Sequence, residues 1–411
     1  MARRFYIIAG EPSGDRLGGA LMGALTTRGP IEFRGVGGQT MTAAGLRSRF
    51  DMAELTVMGL SEVLPKLPGL MRRIRETAED VVATRPDVLI TIDSPDFTLL
   101  VAAKARKALP DLKVVHYVAP SVWAWRPGRA KKMARNVDHV LALLPFEPPY
   151  MHAAGMTCDF VGHPVAGRTQ PGPDEIAAFR DGLGLAPDQP ALLLAPGSRR
   201  GEVRRLMPDF LATVERLRAE RPDLAVICPV VETVSMQVQE AIRGISGPVH
   251  MVPASDGENR KRVAFASADF ALCASGTVTL ELAAAGTPMV AAYKTTWLTA
   301  QIVRRVIKIN TANLINLISG QNAVPEFLQE FATPESLSAA LMPLMTDAVA
   351  RAEQTAVFDD AMRQMGRGGP APEERAADSM LAFLEGKADR SGSGGANSIG
   401  PGPTARHQGR R

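Results

Sequence analysis

Aromatic residues make up only 5% of this 411-residue chain, and cysteine occurs three times. So little stacking surface, with no nucleic-acid-binding motif, argues against a nucleic-acid partner. Cys158, Cys228 and Cys273 are far apart, each in an apolar setting, with no CxxC pair and no Cys/His cluster. Neither a disulfide framework nor a zinc site is expected, and the three read as buried, reduced thiols. No apolar run is long enough to span a bilayer. The start, "MARRFYIIAGEPSGD", has basic residues and an apolar run. That run is too short for the core of a signal peptide and leads into a glycine turn, so it reads as the first strand of a cytoplasmic protein. The Walker pattern and GxGxxG are both missing, which disfavours ATP hydrolysis and dinucleotide redox chemistry.

What is present is a two-domain rhythm, as a chain too long for one ordinary core requires. Short apolar runs alternate with helical stretches. "FYIIAG", "EFRGVGG", "DVLITID", "KVVHYVA", "HVLALLPF" and "CDFVG" form one set of expected strands, apolar on both faces as in a covered parallel sheet. "ALLLAPG", "LAVICPV", "VHMVP", "DFALCAS" and "TPMVAAY" form a second set. Between them the Pro/Gly-rich "HPVAGRTQPGPDE" is the natural hinge. The expected organisation is an N-terminal α/β domain over 1–165 and a second over 166–345. C-terminal helices over 346–385 and a Gly/Ser/Pro-rich, disordered tail over 386–411 complete it.

The net charge of +4 and pI near 9.0 are mild, yet basic residues cluster in "RRIR", "RPGRAKKMAR", "GSRRGEVRR" and "RRVIK". Solvated helix faces would account for most such runs. Their position beside glycine turns points instead to anionic small ligands or an anionic membrane surface. Similarly, "TVMGLSEVLPKLPGLMRRIRE" reads first as a core stripe. Its prolines are expected to break any long helix, and apolar residues beside "RRIR" are what a membrane-surface patch needs.

Several strand ends carry residues suited to chemistry. In "DFALCASGTVTLELAAAG", Ser275, Gly276 and Thr277 fall where a strand gives way to a helix, whose N-terminal N–H groups and dipole favour a phosphate. Glu281 lies six residues after Ser275, roughly 9 Å along a helix axis, within reach of ribose hydroxyls beyond a diphosphate. An ordinary Ser/Thr cap with a surface glutamate is an equal reading of that stretch alone. "LLLAPGSRRGEV" tips the balance by placing Ser198, Arg199 and Arg200 at a second such turn, with guanidinium forks suited to diphosphate oxygens.

In the first half, Gly10, Ser13 and Gly14 of "AGEPSGDRLGG" offer an anion-receiving turn, and Asp15 a bond to a sugar hydroxyl or a helix cap. "ITIDSPDF" places Asp93 at a strand's carboxyl end and Asp96 three residues on. A carboxylate there can take a proton from an attacking hydroxyl, although Asp-Ser-Pro-Asp is also a good turn. "HYVAPSVWAWRPGRAKK" crowds His116, Ser121, Trp123, Trp125 and Arg126 into one loop, either as packing or as a wall meeting a sugar or an acyl chain. His163 of "FVGHP" sits at the hinge, to contact phosphate or to cap the linker.

Taken in order, "AGEPSGD", "VMGLSEVL", "IDSPDF", "HYVAPSVWAWRPGR", "LLPFEPPY", "FVGHP", "PGSRRGEV", "ASGTVTLE" and "AVPEFLQ" resemble the lipid-A-disaccharide synthase family from about Phe5 to Glu385. The resemblance implies a GT-B fold with the donor nucleotide in the C-terminal domain. It implies UDP-2,3-diacylglucosamine as donor and 2,3-diacylglucosamine 1-phosphate (lipid X) as acceptor, giving the β(1→6) lipid A disaccharide 1-phosphate and UDP. The reaction would be a single inverting displacement, with Asp93 as the first choice of base and Asp96 and Asp15 left open. Arg199 and a helix dipole would meet the leaving-group charge. Ser198, Arg200, Ser275, Gly276, Thr277, Thr279, Glu281, Asn316 and Glu326 would hold the UDP-sugar. The remaining residues, Ser13, Gly14, Asp15, Asp96, His116, Ser121, Trp123, Trp125, Arg126 and His163, would serve the acceptor or the cleft.

No DxD motif occurs, and neither a metal nor any other cofactor is implied. The partners implied are the two substrates, a peripheral attachment to the cytoplasmic face of the inner membrane, and a second copy of the chain. Pro12 and Ser94 replace small residues of the family pattern. Gln321 and Asn322 stand where the family commonly has Arg and Glu, while Asn316, Glu326 and Gln329 match. The rivals are another GT-B enzyme, such as a UDP-GlcNAc 2-epimerase or the lipid I glycosyltransferase, and a non-catalytic two-lobed binder. The first two lack the "SVWAWR" loop.

Overall fold

The computed structural model describes residues 2–55, 60–123, 128–296 and 311–387, with residues 60–66 described by backbone alone. Trp125, Arg126, the "RRVIK" cluster and nearly all of the C-terminal tail lie outside the described residues.

The chain divides into two units. Unit 1 comprises Met1–Pro164 and the chain from Gly368 onward, and unit 2 comprises Val165–Arg367. Unit 1 is built on seven parallel strands: β1 (Arg3–Ala9), β2 (Ile31–Val36), β3 (Arg47–Ser48), β4 (Val88–Ile92), β5 (Val114–Tyr117), β6 (His139–Ala142) and β7 (Thr157–Phe160). Their spatial order is β3-β2-β1-β4-β5-β6-β7. Alternate residues enter two cores, with Tyr6 and Ile8 on one face of β1 and Phe5, Ile7 and Ala9 on the other. Each large side chain so enclosed contributes about 1.5–3 kcal/mol, which is why "FYIIA" makes a strand covered on both sides.

Unit 2 repeats the plan with six parallel strands: β8 (Ala191–Ala195), β9 (Ala225–Val230), β10 (Val249–Pro253), β11 (Phe270–Ala274), β12 (Met289–Tyr293) and β13 (Glu326–Leu328). The order is β10-β9-β8-β11-β12-β13. In both sheets the strand order therefore reverses once, between β1 and β4 in unit 1 and between β8 and β11 in unit 2. Open α/β sheets leave a crevice for ligands at the carboxyl ends of such strand pairs.

Two elements depart from the sequence-based expectation. Leu60–Thr84 forms one 25-residue helix despite Pro65 and Pro68. The prolines fall in its N-terminal half, while the C-terminal half buries Ile74, Thr77, Ala78 and Val81 and holds the helix by packing. The second sheet also gains a strand outside the expected set, β13, whose three residues pair with Ala291–Tyr293 of β12.

The helix Pro372–Leu384 belongs to unit 1. Ala376, Ala377 and Met380 complete one of its cores. Around them, Arg28 pairs with Glu374 at 2.6 Å and Asp378 at 2.7 Å. The Ser379 hydroxyl joins His139 at 2.8 Å to Asp159 at 2.6 Å, and Phe383 stacks on the His139 ring.

Candidate functional site

In unit 2 the two glycine turns predicted to receive phosphate follow β8 and β11, the pair flanking the switch point. An added Cβ on Gly197 would lie 3.6 Å from the Ala274 Cβ, so the turn after β8 stands against the end of β11. After β11, Gly276 opens the helix Thr277–Ala285 with no side-chain cap. A Cβ there would meet nothing within 4 Å. The start of the helix is therefore open: the Thr279 N–H bonds the Gly276 carbonyl at 3.1 Å, and the N–H groups ahead of it are the ones an anion can reach.

Ser275 is half-buried and donates to Glu326 Oε1 at 2.6 Å. Glu326 also accepts from the Thr311 hydroxyl at 2.7 Å and from the Ala312 N–H at 2.8 Å. Thr277 is exposed at the helix start, whereas Thr279 is buried and its hydroxyl donates to the Gly276 carbonyl. Thr279 thus shapes the turn and offers no free donor. Asn316 is likewise in structural use: its amide exchanges two 2.9 Å bonds with the backbone of Val324 and donates to Thr311 at 3.3 Å. Both were expected among the ligand contacts, and burial turns both inward.

After β8, Ser198, Arg199 and Arg200 are exposed. Glu202, which the sequence reading passed over, accepts the N–H groups of Ser198 and Arg199 and a 2.9 Å bond from the Arg199 guanidinium. A glutamate three residues into a helix is the signal that could have found it. The Arg199 side chain is 81% exposed, so this ion pair holds it weakly and leaves it available to an anion. Glu281 lies on the helix Thr277–Ala285, where it pairs with Lys261 and Arg168, two further residues missed from sequence.

In unit 1 the loops after β1 and β4 also touch, since a Cβ on Gly10 would stand 2.8 Å from the Ser94 side chain. Asp93 and Ser94 both adopt left-handed backbone, at φ +46° and +43°, and Val118 beside them does so at +83°. Such conformations cost about 1–3 kcal/mol each in non-glycine residues, and they gather where function constrains the chain. Asp93 is held by its N–H to Tyr117 at 3.0 Å and by the Thr98 hydroxyl on its carbonyl, leaving its half-buried carboxylate outside the backbone network. The Ser94 hydroxyl is buried and has no hydrogen bond among the described residues. Asp96 is exposed in the first turn of the next helix.

Asp15 has a different use from the expected sugar contact. It is 5% exposed, and its carboxylate accepts three N–H groups, from Gly38 at 2.7 Å, Thr40 at 2.8 Å and Met41 at 3.1 Å. It ties the first helix to the start of Gln39–Ala43. Gly14 packs against β1 and β4, while Ser13 is exposed. His116 lies within β5, fully enclosed, with Nδ1 2.8 Å from the Thr91 hydroxyl. Burial pulls its pKa down to about 4, so it stays neutral and inside the sheet, not on a cleft wall. Ser121 is exposed, and His163 is half-buried directly before the unit boundary.

Trp123 meets Phe146 edge-on, with ring centroids 5.2 Å apart. Its indole N–H is buried without a hydrogen bond of regular geometry. Beside it lies Glu147, absent from the expected site. Burial raises its pKa to about 7, while the Leu144 N–H, 3.0 Å from Oε2, and the Trp123 indole pull the other way.

Two doubly wound parallel sheets, each with an exposed or strained turn at its switch point, define a protein of the GT-B fold. The backbone bears this out in solved structures too distant to show more than fold. One is a UDP-GlcNAc 2-epimerase from Neisseria meningitidis bound to UDP-GlcNAc, 11% identical, TM-score 0.57, covering 94% of this chain and 100% of that one. Another is the calicheamicin glycosyltransferase CalG4, 17% identical, TM-score 0.52, covering 93% and 98%. The family model for lipid-A-disaccharide synthetase matches residues 5–377, and the lipid-A-disaccharide synthase of Ruegeria pomeroyi is 55% identical over 93% of this chain and 96% of its own length. The chain belongs to the lipid-A-disaccharide synthetase family, the glycosyltransferases of lipid A biosynthesis.

Proposed function

We propose that this chain transfers the diacylglucosaminyl group of UDP-2,3-diacylglucosamine to the 6-hydroxyl of lipid X. The products are the β(1→6) lipid A disaccharide 1-phosphate and UDP. The observation that carries the donor half is the uncapped helix start at Gly276–Thr277, beside the exposed Arg199 and Arg200 at the unit 2 switch point. There the diphosphate lies on N–H groups and guanidinium forks, and Glu281 takes the ribose. Asp93 is the base: it receives the 6-hydroxyl proton as the new C–O bond forms at the anomeric carbon. The bond to the UDP oxygen breaks on the opposite face, and its electron pair leaves with the β-phosphate. Asp15 is set aside as base because its oxygens already accept three N–H groups.

The acyl chains place the reaction at a membrane. No helix among the described residues is long and apolar enough to cross one. On the helix Leu60–Thr84, however, Leu67 and Met71 are 43% and 45% exposed beside Arg72 and Arg75. That combination supports peripheral attachment to the cytoplasmic face of the inner membrane. A homodimer completes the reading.

The test is turnover in mild detergent with UDP-2,3-diacylglucosamine and lipid X, following UDP and disaccharide by mass spectrometry. Disaccharide from the wild type is expected, with a loss of at least about 100-fold in Asp93→Ala, the range general base catalysis supplies. UDP binding should persist in the variant. Equal turnover in both proteins removes Asp93 as the base, and no disaccharide from the wild type removes the reaction.

A further inference from the structure

Glu281 carries two cations of different kinds. Lys261 Nζ, from the helix Gly257–Ala266, lies 2.9 Å from each carboxylate oxygen. Arg168, from the segment opening unit 2, donates to Oε1 alone at 3.2 Å and stands 3.7 Å from a second carboxylate, Glu258. Lys261, Arg168 and Glu281 line one pocket, with Phe265 and Gln170. The Lys261 ammonium is also set over the Phe265 ring, 5.3 Å from its centroid, whereas Arg168 is the more exposed of the two cations.

An ionised carboxylate has about four acceptor sites, two on each oxygen. Lys261 occupies one on each oxygen, and Arg168 fills the second on Oε1. One remains, on Oε2. A vicinal diol brings two hydroxyl donors, and clasping it with one bond per oxygen needs the site that Arg168 holds. Lys261 can stay in place while the diol binds, and Arg168 cannot. Glu258 is close enough to receive the displaced guanidinium.

We infer that Lys261 is a positioning residue that holds Glu281 for the ribose diol of the donor, and that Arg168 is a placeholder that yields Oε1 to the diol and moves to Glu258. The inference rests on the proposed placing of ribose at Glu281. It gives two cations on one carboxylate opposite effects on the ligand.

The test measures binding of UDP and of 2′-deoxy-UDP to the full chain by calorimetry. Lys261→Ala should weaken UDP about tenfold, the loss of one hydrogen bond in a charged group, and bring the two ligands closer in affinity. Lys261→Arg should recover most of that loss. Arg168→Ala should bind UDP as tightly as the wild type or several-fold more tightly. With the natural substrates, Lys261→Ala should raise KM with kcat within about twofold, the signature of lost uniform binding. Equal weakening by Arg168→Ala and Lys261→Ala overturns the exchange, as does an equal loss for UDP and its deoxy analogue in Lys261→Ala. If Glu281→Ala binds UDP like the wild type, the ribose is elsewhere: the donor placing falls, and this inference with it.

Discussion

Replacing Asp15 by asparagine separates a scaffolding carboxylate from a catalytic one. In the wild type, Oδ1 accepts the N–H groups of Gly38 and Met41, and Oδ2 accepts that of Thr40. Asparagine keeps one acceptor oxygen, so the Thr40 N–H would face an amide NH2. Losing one bond to a charged acceptor costs roughly 1.5–3 kcal/mol, and the two that remain weaken when the charge goes, for a total of roughly 3 kcal/mol. For a unit of this size that lowers the melting temperature by roughly 6–12 °C. The assay pairs a thermal melt of the full chain with turnover at 20 °C, well below the transition. The reasoning requires a lower melt and a kcat within about threefold of the wild type, since nothing that touches substrate has changed. An unaltered melt with turnover abolished would refute it and return Asp15 to the chemistry.

Glu147→Gln gives a pH signature. The wild-type carboxyl has its pKa raised from 4.5 to about 7 by burial, so the folded state holds a proton that the unfolded state releases. Its contribution is full below about pH 4.5 and is lost as pH rises through about 7, a change of up to about 3 kcal/mol. Urea midpoints measured from pH 5 to 8 should therefore fall more steeply in the wild type than in the glutamine variant, and parallel curves would contradict the assignment. At the proposed membrane patch, Leu67→Asp combined with Met71→Asp should cut binding to anionic vesicles at least tenfold, from lost apolar burial and added like charge. Their solvent exposure should leave the melt within about 2 °C. Unchanged vesicle binding would move the attachment elsewhere.

The parallel sheets were legible because strands such as "VLITI" and "FALCA" are buried at every position and almost wholly apolar, as a sheet covered on both faces requires. The short strand Glu326–Leu328 was not, since three residues beside Pro325 carry no periodicity. Its partner, β12, lies more than thirty residues earlier in the chain. The prolines at 65 and 68 misled for a related reason: their local cost is outweighed by packing at the far end of the helix, which no local pattern records. At the site, the helix start after Gly276 could be read from residue order. The inward turn of Thr279, Asn316 and His116 could not, because side-chain direction follows from burial. Lys261 and Arg168 escaped notice because they lie 20 and 113 residues from the carboxylate they share.

The return of Pro372–Leu384 to unit 1 sets an order of events during synthesis. Unit 2 is continuous in the chain and can close its core as soon as Arg367 clears the ribosome. Unit 1, translated first, must wait with one face of its sheet incomplete until Ala376, Ala377 and Met380 arrive. The first-made unit is thus the last to finish. During that interval its apolar face is open to chaperones, and a ribosome stalled anywhere within unit 2 would leave a nascent chain with neither unit complete.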